Sequence, residues 1–359
     1  MNRILVTGAD GYLGNAIATW LLDHSEQELV LWTRASDESS RAAKRQRLQH
    51  LLRDPRCQIA FGDLEQAQPF AHVDTNHIDS IVHAAAAIDF NVSRELAERV
   101  NIDGTHRLLK FAACCPNLKR FAYLGTLYSA GLCDGELTES LHSSGKRFAN
   151  HYEWSKHRAE QIIASEFDFL PWQIMRVATL IADNESGEVG QQNVLHNTMR
   201  LMYYGLLSIL PGIPSSRIYL TTKDFVAAAC GHLLLHGPER QVFHLSDDGQ
   251  EALKLGELLD RVYAEFQRDE KFGRSGILKP LFCDQRAFNA LVSGISRQSD
   301  VIGQALASVA PFAPQLFHDK IVDTKIARAC LGEIAAPRIA PLLTEVSHNL
   351  ISNRWGLAE

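Results

Sequence analysis

Residues 7–14 read Thr-Gly-Ala-Asp-Gly-Tyr-Leu-Gly, between the short apolar run Ile4–Val6 and an amphipathic stretch from Asn15 to His24. Three glycines spaced G-x-x-G-x-x-G, with a strand before and a helix after, restrict the chain to few folds. Gly8 permits a tight strand-to-helix turn. Gly11 lets the backbone come close to a pyrophosphate. Gly14 lets the helix pack against the sheet. The start of the helix then offers free N–H groups and the positive end of its dipole to phosphate. The turn therefore predicts a dinucleotide site, with Asp10, Tyr12 and Leu13 contacting the ligand alongside the glycines.

The rhythm of the chain agrees. Apolar runs at 29–32, 58–61, 80–83, 121–124, 172–177 and 242–245 read as strands. Helical stretches at about 39–53, 93–114 and 151–167 lie between them. Such alternation predicts an α/β protein with a Rossmann-type, doubly wound parallel sheet. After Ala178 the rhythm breaks, and from Glu251 the chain is mostly helical. Residues 1–178 with 236–249 are expected to form the nucleotide-binding domain. Residues 179–235 with 250–359 are expected to form a smaller, mostly helical substrate lobe.

Composition narrows the function. The 359 residues carry 36 Lys+Arg against 42 Asp+Glu, a net charge of −6, which disfavours a dedicated nucleic-acid binder. No apolar run approaches the roughly 20 residues of a membrane span. The N-terminal apolar run leads into the glycine turn rather than a cleavage site, so no signal peptide is expected. Seven scattered cysteines with no Cys-x-x-Cys pair argue against disulfides and zinc and for a reduced, cytoplasmic protein. The 15 histidines have no ligand-rich partner segment, so no metal is expected.

The end of the second strand addresses cofactor choice. NAD sites commonly place an acid there for the ribose 2′-hydroxyl. Here Leu31-Trp32-Thr33 leads to Arg34, whose planar fork suits a 2′-phosphate. Arg41, Lys44 and Arg45 follow and add positive potential. NADPH is thus favoured over NADH. Asp63, with Leu64 after it, follows the third strand, where its carboxylate can accept from an adenine amino group or cap a turn.

Tyr152 and Lys156 are four apart on an expected helix and share a face. A free tyrosine, with a pKa near 10, is a poor acid–base group at neutral pH. A neighbouring cation would lower that pKa, and Lys156 could also donate to cofactor ribose hydroxyls. Thr126, at the carboxyl end of the fifth strand, is placed to orient a substrate carbonyl toward Tyr152, or to cap the strand.

Together, the Thr7–Gly14 turn, Thr126 and Tyr152-x-x-x-Lys156 resemble the extended short-chain dehydrogenase/reductases. His83-Ala84-Ala85-Ala86 and Asn101-Ile102-Asp103-Gly104-Thr105 support the resemblance. Val82–Ala86 continuing to Asp89-Phe90-Asn91, Tyr152–Lys156 with Ala159-Glu160, and Tyr219–Asp224 look like the male-sterility, fatty acyl-CoA reductase and thioester reductase branch. The resemblance implies that Thr126 polarises a carbonyl, Tyr152 is the general acid/base, and Lys156 holds the ribose and tunes Tyr152. It further implies that Asn101 braces the active-site helix and a relay water, and that Ala84, Ala85 and Ala86 line the nicotinamide side. Gly125, where serine is common, and Val177, where proline is common, depart from the pattern. The implied activity is NADPH-dependent reduction of a carbonyl, with an acyl thioester on CoA or a carrier protein as one substrate class. The alternatives are a dehydrogenase or epimerase of a hydroxylated small molecule, such as a sterol-like alcohol or nucleotide sugar, and a non-catalytic NADP sensor. Family analogy also implies a homodimer through the helices of about 93–114 and 151–167.

Overall fold

The computed structural model describes residues 3–143, 145–247, 252–295, 307 and 309–356. Residues 248–249, at the end of the expected nucleotide-binding domain, lie outside them. Seven strands form the main sheet. They are β1 (Arg3–Thr7), β2 (Glu28–Arg34), β3 (Cys57–Gly62), β4 (Ile78–His83), β5 (Arg120–Thr126), β6 (Trp172–Val177) and β7 (Gln241–Leu245). Their spatial order is β7-β6-β5-β4-β1-β2-β3, and every neighbouring pair is parallel. The order reverses between β1 and β4, which opens a crevice beyond their carboxyl ends.

Burial explains the strand sequences. Every residue of β4 and of β6 is buried, because helices cover both faces of a parallel sheet. On one face, Ile17 and Leu21 of the Tyr12–His24 helix meet Val226 and Leu233 of the Lys223–His236 helix. Gly231 lies inside the second of these helices without breaking it. A Cβ there would sit 2.0 Å from the Trp20 ring, so the glycine permits the close approach of the two helices. On the other face, Leu108 and Leu109 pack with Ile162 and Ile163, from helices Gly104–Ala113 and His151–Glu166.

Two expected helices differ in detail. The stretch of about 39–53 divides into helices Glu38–Arg47 and Gln49–Leu52. Leu48, at φ −93° and ψ 7°, breaks the run. Leu48 and Leu51 are drawn into the core, whereas the Glu38–Arg47 helix buries nothing. The stretch of about 93–114 contains a widened π-helical turn, Glu98–Asp103. Such single-turn bulges often mark functional sites, and this one carries Asn101.

A separate apolar cluster joins Met199 and Met202 to Leu258, Leu259 and Phe266, and these to Leu343 and Val346. Its helices include Val194–Tyr203, Leu255–Arg268 and Ile339–Ser352. Among the described residues, three two-stranded parallel pairs complete the fold: Thr179–Ala182 with Leu220–Thr222, Ile209–Pro211 with Leu281–Cys283, and Gly135–Leu137 with Lys320–Val322. Sequence reading found none of these strands, since three or four residues show no usable period. Among the described residues, no helix is long and apolar enough to cross a membrane.

Candidate active site

The glycine turn forms the floor of a cleft at the carboxyl ends of β1, β4 and β5. Gly8 adopts φ +67°, and a Cβ there would lie 2.8 Å from the Ala85 nitrogen. Only glycine fits such a position. The Gly11 N–H donates to Gly8 O at 2.8 Å, and a Cβ on Gly14 would stand 2.2 Å from the same oxygen. The turn is thus closed against the segment Ala84–Ala86. Beyond it opens a cavity of about 590 Å³. Its walls include Gly8, Asp10, Gly11, Tyr12, Leu13, Gly14, Arg34, Asp63, Leu64, Ala84, Ala85 and Ala86, and at the other end Thr126, Tyr152 and Lys156.

At the β2 end, the basic run divides by role. Arg34 is exposed on the rim, and Lys44 and Arg47 share the wall with it. Arg41 and Arg45 lie over the Phe61 ring, at 5.6 and 5.1 Å. Lys44 and the Thr33 hydroxyl both donate to Asp10. Burial alone would raise the Asp10 pKa, but these two donors outweigh it and hold the carboxyl below its ordinary value. Asp63 accepts from Glu65 N at 3.0 Å while lining the cavity, so it caps a turn and faces the ligand space together.

One constraint on the turn had no sequence signal. The Tyr12 hydroxyl donates to Asp183, which also takes Lys223 Nζ at 2.7 Å and Gly190 N at 2.9 Å. Burial pushes Asp183 up, yet Lys223 and Tyr12 bring it below its usual value. Tyr12 and Lys223 lie 171 and 40 residues from Asp183, separations that no local pattern could connect.

At the other end, Thr126 closes β5, and its Oγ1 accepts from Tyr128 N at 3.3 Å. It therefore caps the 3-10 turn Leu127–Ala130 that follows the strand, and lines the cavity as well. Tyr152 stands beside it on the His151–Glu166 helix, which Asn150 caps by accepting from Glu153 N at 3.0 Å. Lys156 shares the cavity-facing side of that helix, as the spacing predicts. Its ammonium is engaged by the sheet. Nζ donates to Leu124 O at 2.7 Å and lies 4.6 Å over the Tyr123 ring. Burial lowers the Lys156 pKa to about 8, against the opposing pull of Glu160. Tyr152 moves the other way. Burial, then the Glu153 charge, raise its phenol above the ordinary value, with Thr126 opposing. Burial thus favours the protonated phenol at Tyr152 over the phenolate.

Asn101 lies behind the cavity wall, buried. Its Nδ2 donates to Ala87 O and to Ser155 Oγ, both at 2.9 Å, and its Oδ1 accepts from Ala87 N at 2.7 Å. It ties the loop after β4 to the active-site helix. His83 bridges Thr7 Oγ1 at 2.8 Å and Thr105 Oγ1 at 3.0 Å. Burial lowers the His83 pKa to about 3, so it stays neutral.

Gly125 has a local reason. A Cβ there would lie 2.9 Å from Glu160 Oε1. Glu160 and Arg176 form a fully buried pair, with Arg176 Nη2 at 2.7 Å from Oε2 and Nε at 3.2 and 3.1 Å from the two oxygens. Arg176 also donates to Ser140 O at 3.0 Å and meets His244 Nε2 at 3.2 Å. The pair occupies the space a side chain at position 125 would need.

A second buried carboxyl, Glu153, adjoins Tyr152. It accepts from Ala149 N at 3.0 Å and from Gln315 Nε2 at 2.8 Å. Burial raises its pKa to about 7 from the ordinary 4.5, and these hydrogen bonds only partly offset the rise. The folded protein then binds more protons than the unfolded chain between those two values. Glu153 therefore adds stability that is fully present below about pH 4.5 and lost as pH rises through about 7. Glu153→Gln should flatten the fall in melting temperature across that interval. An unchanged slope would assign the fall to other groups.

Comparison with known proteins places the chain in a family. The family model described as "Male sterility protein", an NAD-binding family, matches residues 6–230. A 3 beta-hydroxysteroid dehydrogenase/Delta 5-->4-isomerase of Mycobacterium tuberculosis is 26% identical over 262 residues, covering 69% of this chain and 62% of its own. The fatty acyl-CoA reductase wat of Drosophila melanogaster is 23% identical over 266 residues, covering 62% of this chain and 49% of its own. The chain thus spans less than two thirds of the length of the curated relatives it matches. The terminal R domain from the myxalamid PKS-NRPS biosynthetic pathway superposes with a TM-score of 0.80 at 19% identity, covering 99% of this chain and 92% of that one. A thiolation-reductase di-domain from an archaeal non-ribosomal peptide synthetase gives 0.75 at 19% identity, covering 99% and 76%. At such identity the two structures establish the fold, and the family match covers well over half the chain. The chain belongs to the male sterility protein family, an NAD-binding family.

Proposed function

We propose that this protein uses NADPH to reduce the carbonyl of an acyl thioester, carried on CoA or on a carrier protein. One observation carries the reading. A cavity floored by the glycine turn brings Thr126, Tyr152 and Lys156 to one end, where the remaining wall is apolar or uncharged, with residues such as Phe90, Leu96, Tyr128 and Val194. The floor suits a dinucleotide, because the glycines close the turn tightly against neighbouring backbone and the Tyr12–His24 helix presents its N-terminus to the cavity. Among the described residues, that end has no cation besides Lys156 to receive the diphosphate of a nucleotide sugar.

When bound, the coenzyme supplies hydride to the carbonyl carbon. Thr126 and Tyr152 donate hydrogen bonds to the carbonyl oxygen, stabilising the charge that develops there. Tyr152, held protonated by burial, delivers its proton to that oxygen. Lys156 would hold the ribose hydroxyls of the coenzyme, and Asn101 keeps the active-site helix against the loop at Ala87. Collapse of the resulting hemithioacetal releases the thiol and an aldehyde. A carrier-protein thioester is included because the chain shares its fold with the reductase of the thiolation di-domain. A hydroxysteroid dehydrogenase activity is the second reading, since the same apolar end would take a sterol-like alcohol and one relative bears that name.

The deciding experiment follows NADPH oxidation with acyl-CoAs, carrier-bound acyl groups, aldehydes, ketones and sugar nucleotides, and NAD(P)+ reduction with hydroxysteroids. Turnover of thioesters supports the first reading. Turnover of hydroxysteroids alone would replace it with the second. Arg34 is assigned to the 2′-phosphate, and Arg47 lines the same cavity. A charge-assisted hydrogen bond contributes about 1.5–3 kcal/mol. Arg34→Glu should therefore raise KM for NADPH by about tenfold to a hundredfold while KM for NADH changes little. An unchanged preference would remove Arg34 from the site.

A further inference from the structure

The apolar end of the cavity is backed by a residue from the far end of the chain. Phe90 stands 5.6 Å from Tyr152, ring centre to ring centre. Behind it, the Phe312 ring stacks on Phe90 at 5.6 Å and 13°, and receives the edge of Tyr128 at 5.0 Å and 83°. Phe90 and Tyr128 line the cavity, whereas Phe312 does not. Phe312 therefore stands directly behind two wall residues and backs both. Its far side packs against the apolar cluster of the second lobe.

The segment carrying Phe312 is pinned to the active-site helix. Asn150 Nδ2 donates to Pro311 O at 3.1 Å, and Gln315 Nε2 donates to Glu153 Oε2 at 2.8 Å. Buried Lys320 then donates to Gln315 Oε1 at 2.6 Å. Glu153, Gln315 and Lys320 are each at least nine-tenths buried. A buried polar chain of this kind, fully paired, fixes one geometry.

Resting on the thioester reading, we infer that Phe312 is the specificity-determining end wall of the acyl subsite, and that Gln315 is the positioning residue that holds it. The subsite takes an unbranched apolar acyl group running from Tyr152 along Phe90. The ring of Phe312 sets how far that group extends. Removing the ring joins its volume to the cavity, and enlarging it shortens the subsite.

The test compares wild type, Phe312→Ala, Phe312→Trp and Gln315→Ala in the full chain, on a series from acetyl-CoA to hexadecanoyl-CoA. In a hydrophobic pocket, small changes in fit alter kcat/KM by about 10–200-fold. Phe312→Ala should raise the ratio of kcat/KM for the longest acyl group to that for the optimal one by at least about tenfold. Phe312→Trp should move the optimum to shorter chains. Gln315→Ala should move it as Phe312→Ala does, through KM rather than kcat. If all four proteins reduce thioesters with one chain-length profile, the end wall is overturned and the thioester reading stands. If wild type reduces no thioester, that reading falls, and calorimetric titration of the NADP-saturated proteins with the same acyl-CoAs decides the wall separately. A length-dependent affinity that shifts with Phe312 supports it. An identical affinity, or no binding at all, overturns it.

Discussion

Tyr152→Phe should lower kcat/KM for carbonyl reduction by about 10²–10⁴-fold, the span that a positioned proton donor contributes. The ring and its contact with Phe90 remain, so NADPH should bind the variant as tightly as wild type in a fluorescence titration. The sign of the pH dependence follows from the site. Burial and Glu153 hold the phenol protonated, so the donor is present throughout the neutral range. Reduction should lose little activity between about pH 6 and 8, whereas oxidation, which needs the phenolate, should rise with pH. Lys156, with its pKa near 8, is charged through most of that range. Turnover unchanged in Tyr152→Phe would remove the tyrosine from the chemistry and leave Thr126 without a partner in its assigned role.

Arg176→Met should destabilise the fold by about 3–5 kcal/mol, because it leaves the Glu160 carboxylate buried and unpaired. Neither member of the pair is more than 1% exposed, so water cannot replace the lost guanidinium. Replacing both, as Arg176→Met with Glu160→Leu, should recover much of the loss, since apolar groups of similar volume satisfy a buried site well. Urea unfolding of the two variants measures the difference. Equal destabilisation by the single and double changes would indicate that the pair matters through its links to Ser140 and His244.

The sheet and one end of the site were legible because their signals are local. Strand and helix follow each other at regular lengths, and the glycines of residues 8–14 fall where backbone must meet backbone. Tyr152 and Lys156 share a helix face by spacing alone. What spacing could not show was the direction of the Lys156 ammonium, which the Leu124 carbonyl and the Tyr123 ring set. Asp63 and Thr126 each carried a capping and a ligand-facing reading, and the fold permits both at once. The contacts that escaped notice cross long stretches of chain. Asp183 reaches back to Tyr12, and Gln315 to Glu153, 162 residues away. Packing brings such residues together, and neither periodicity nor residue type announces it. The short paired strands escaped for a simpler reason, being too brief to show alternation.

The pin between the active-site helix and the segment around Gln315 also bears on how the molecule is made. The last strand of the main sheet ends at Leu245, but the residues that back Phe90 and brace Glu153 come some seventy positions later. Chains fold from the N-terminus as they leave the ribosome, at roughly 5–20 residues per second. A nascent chain would thus acquire the surfaces that grip a coenzyme several seconds before it can enclose a substrate.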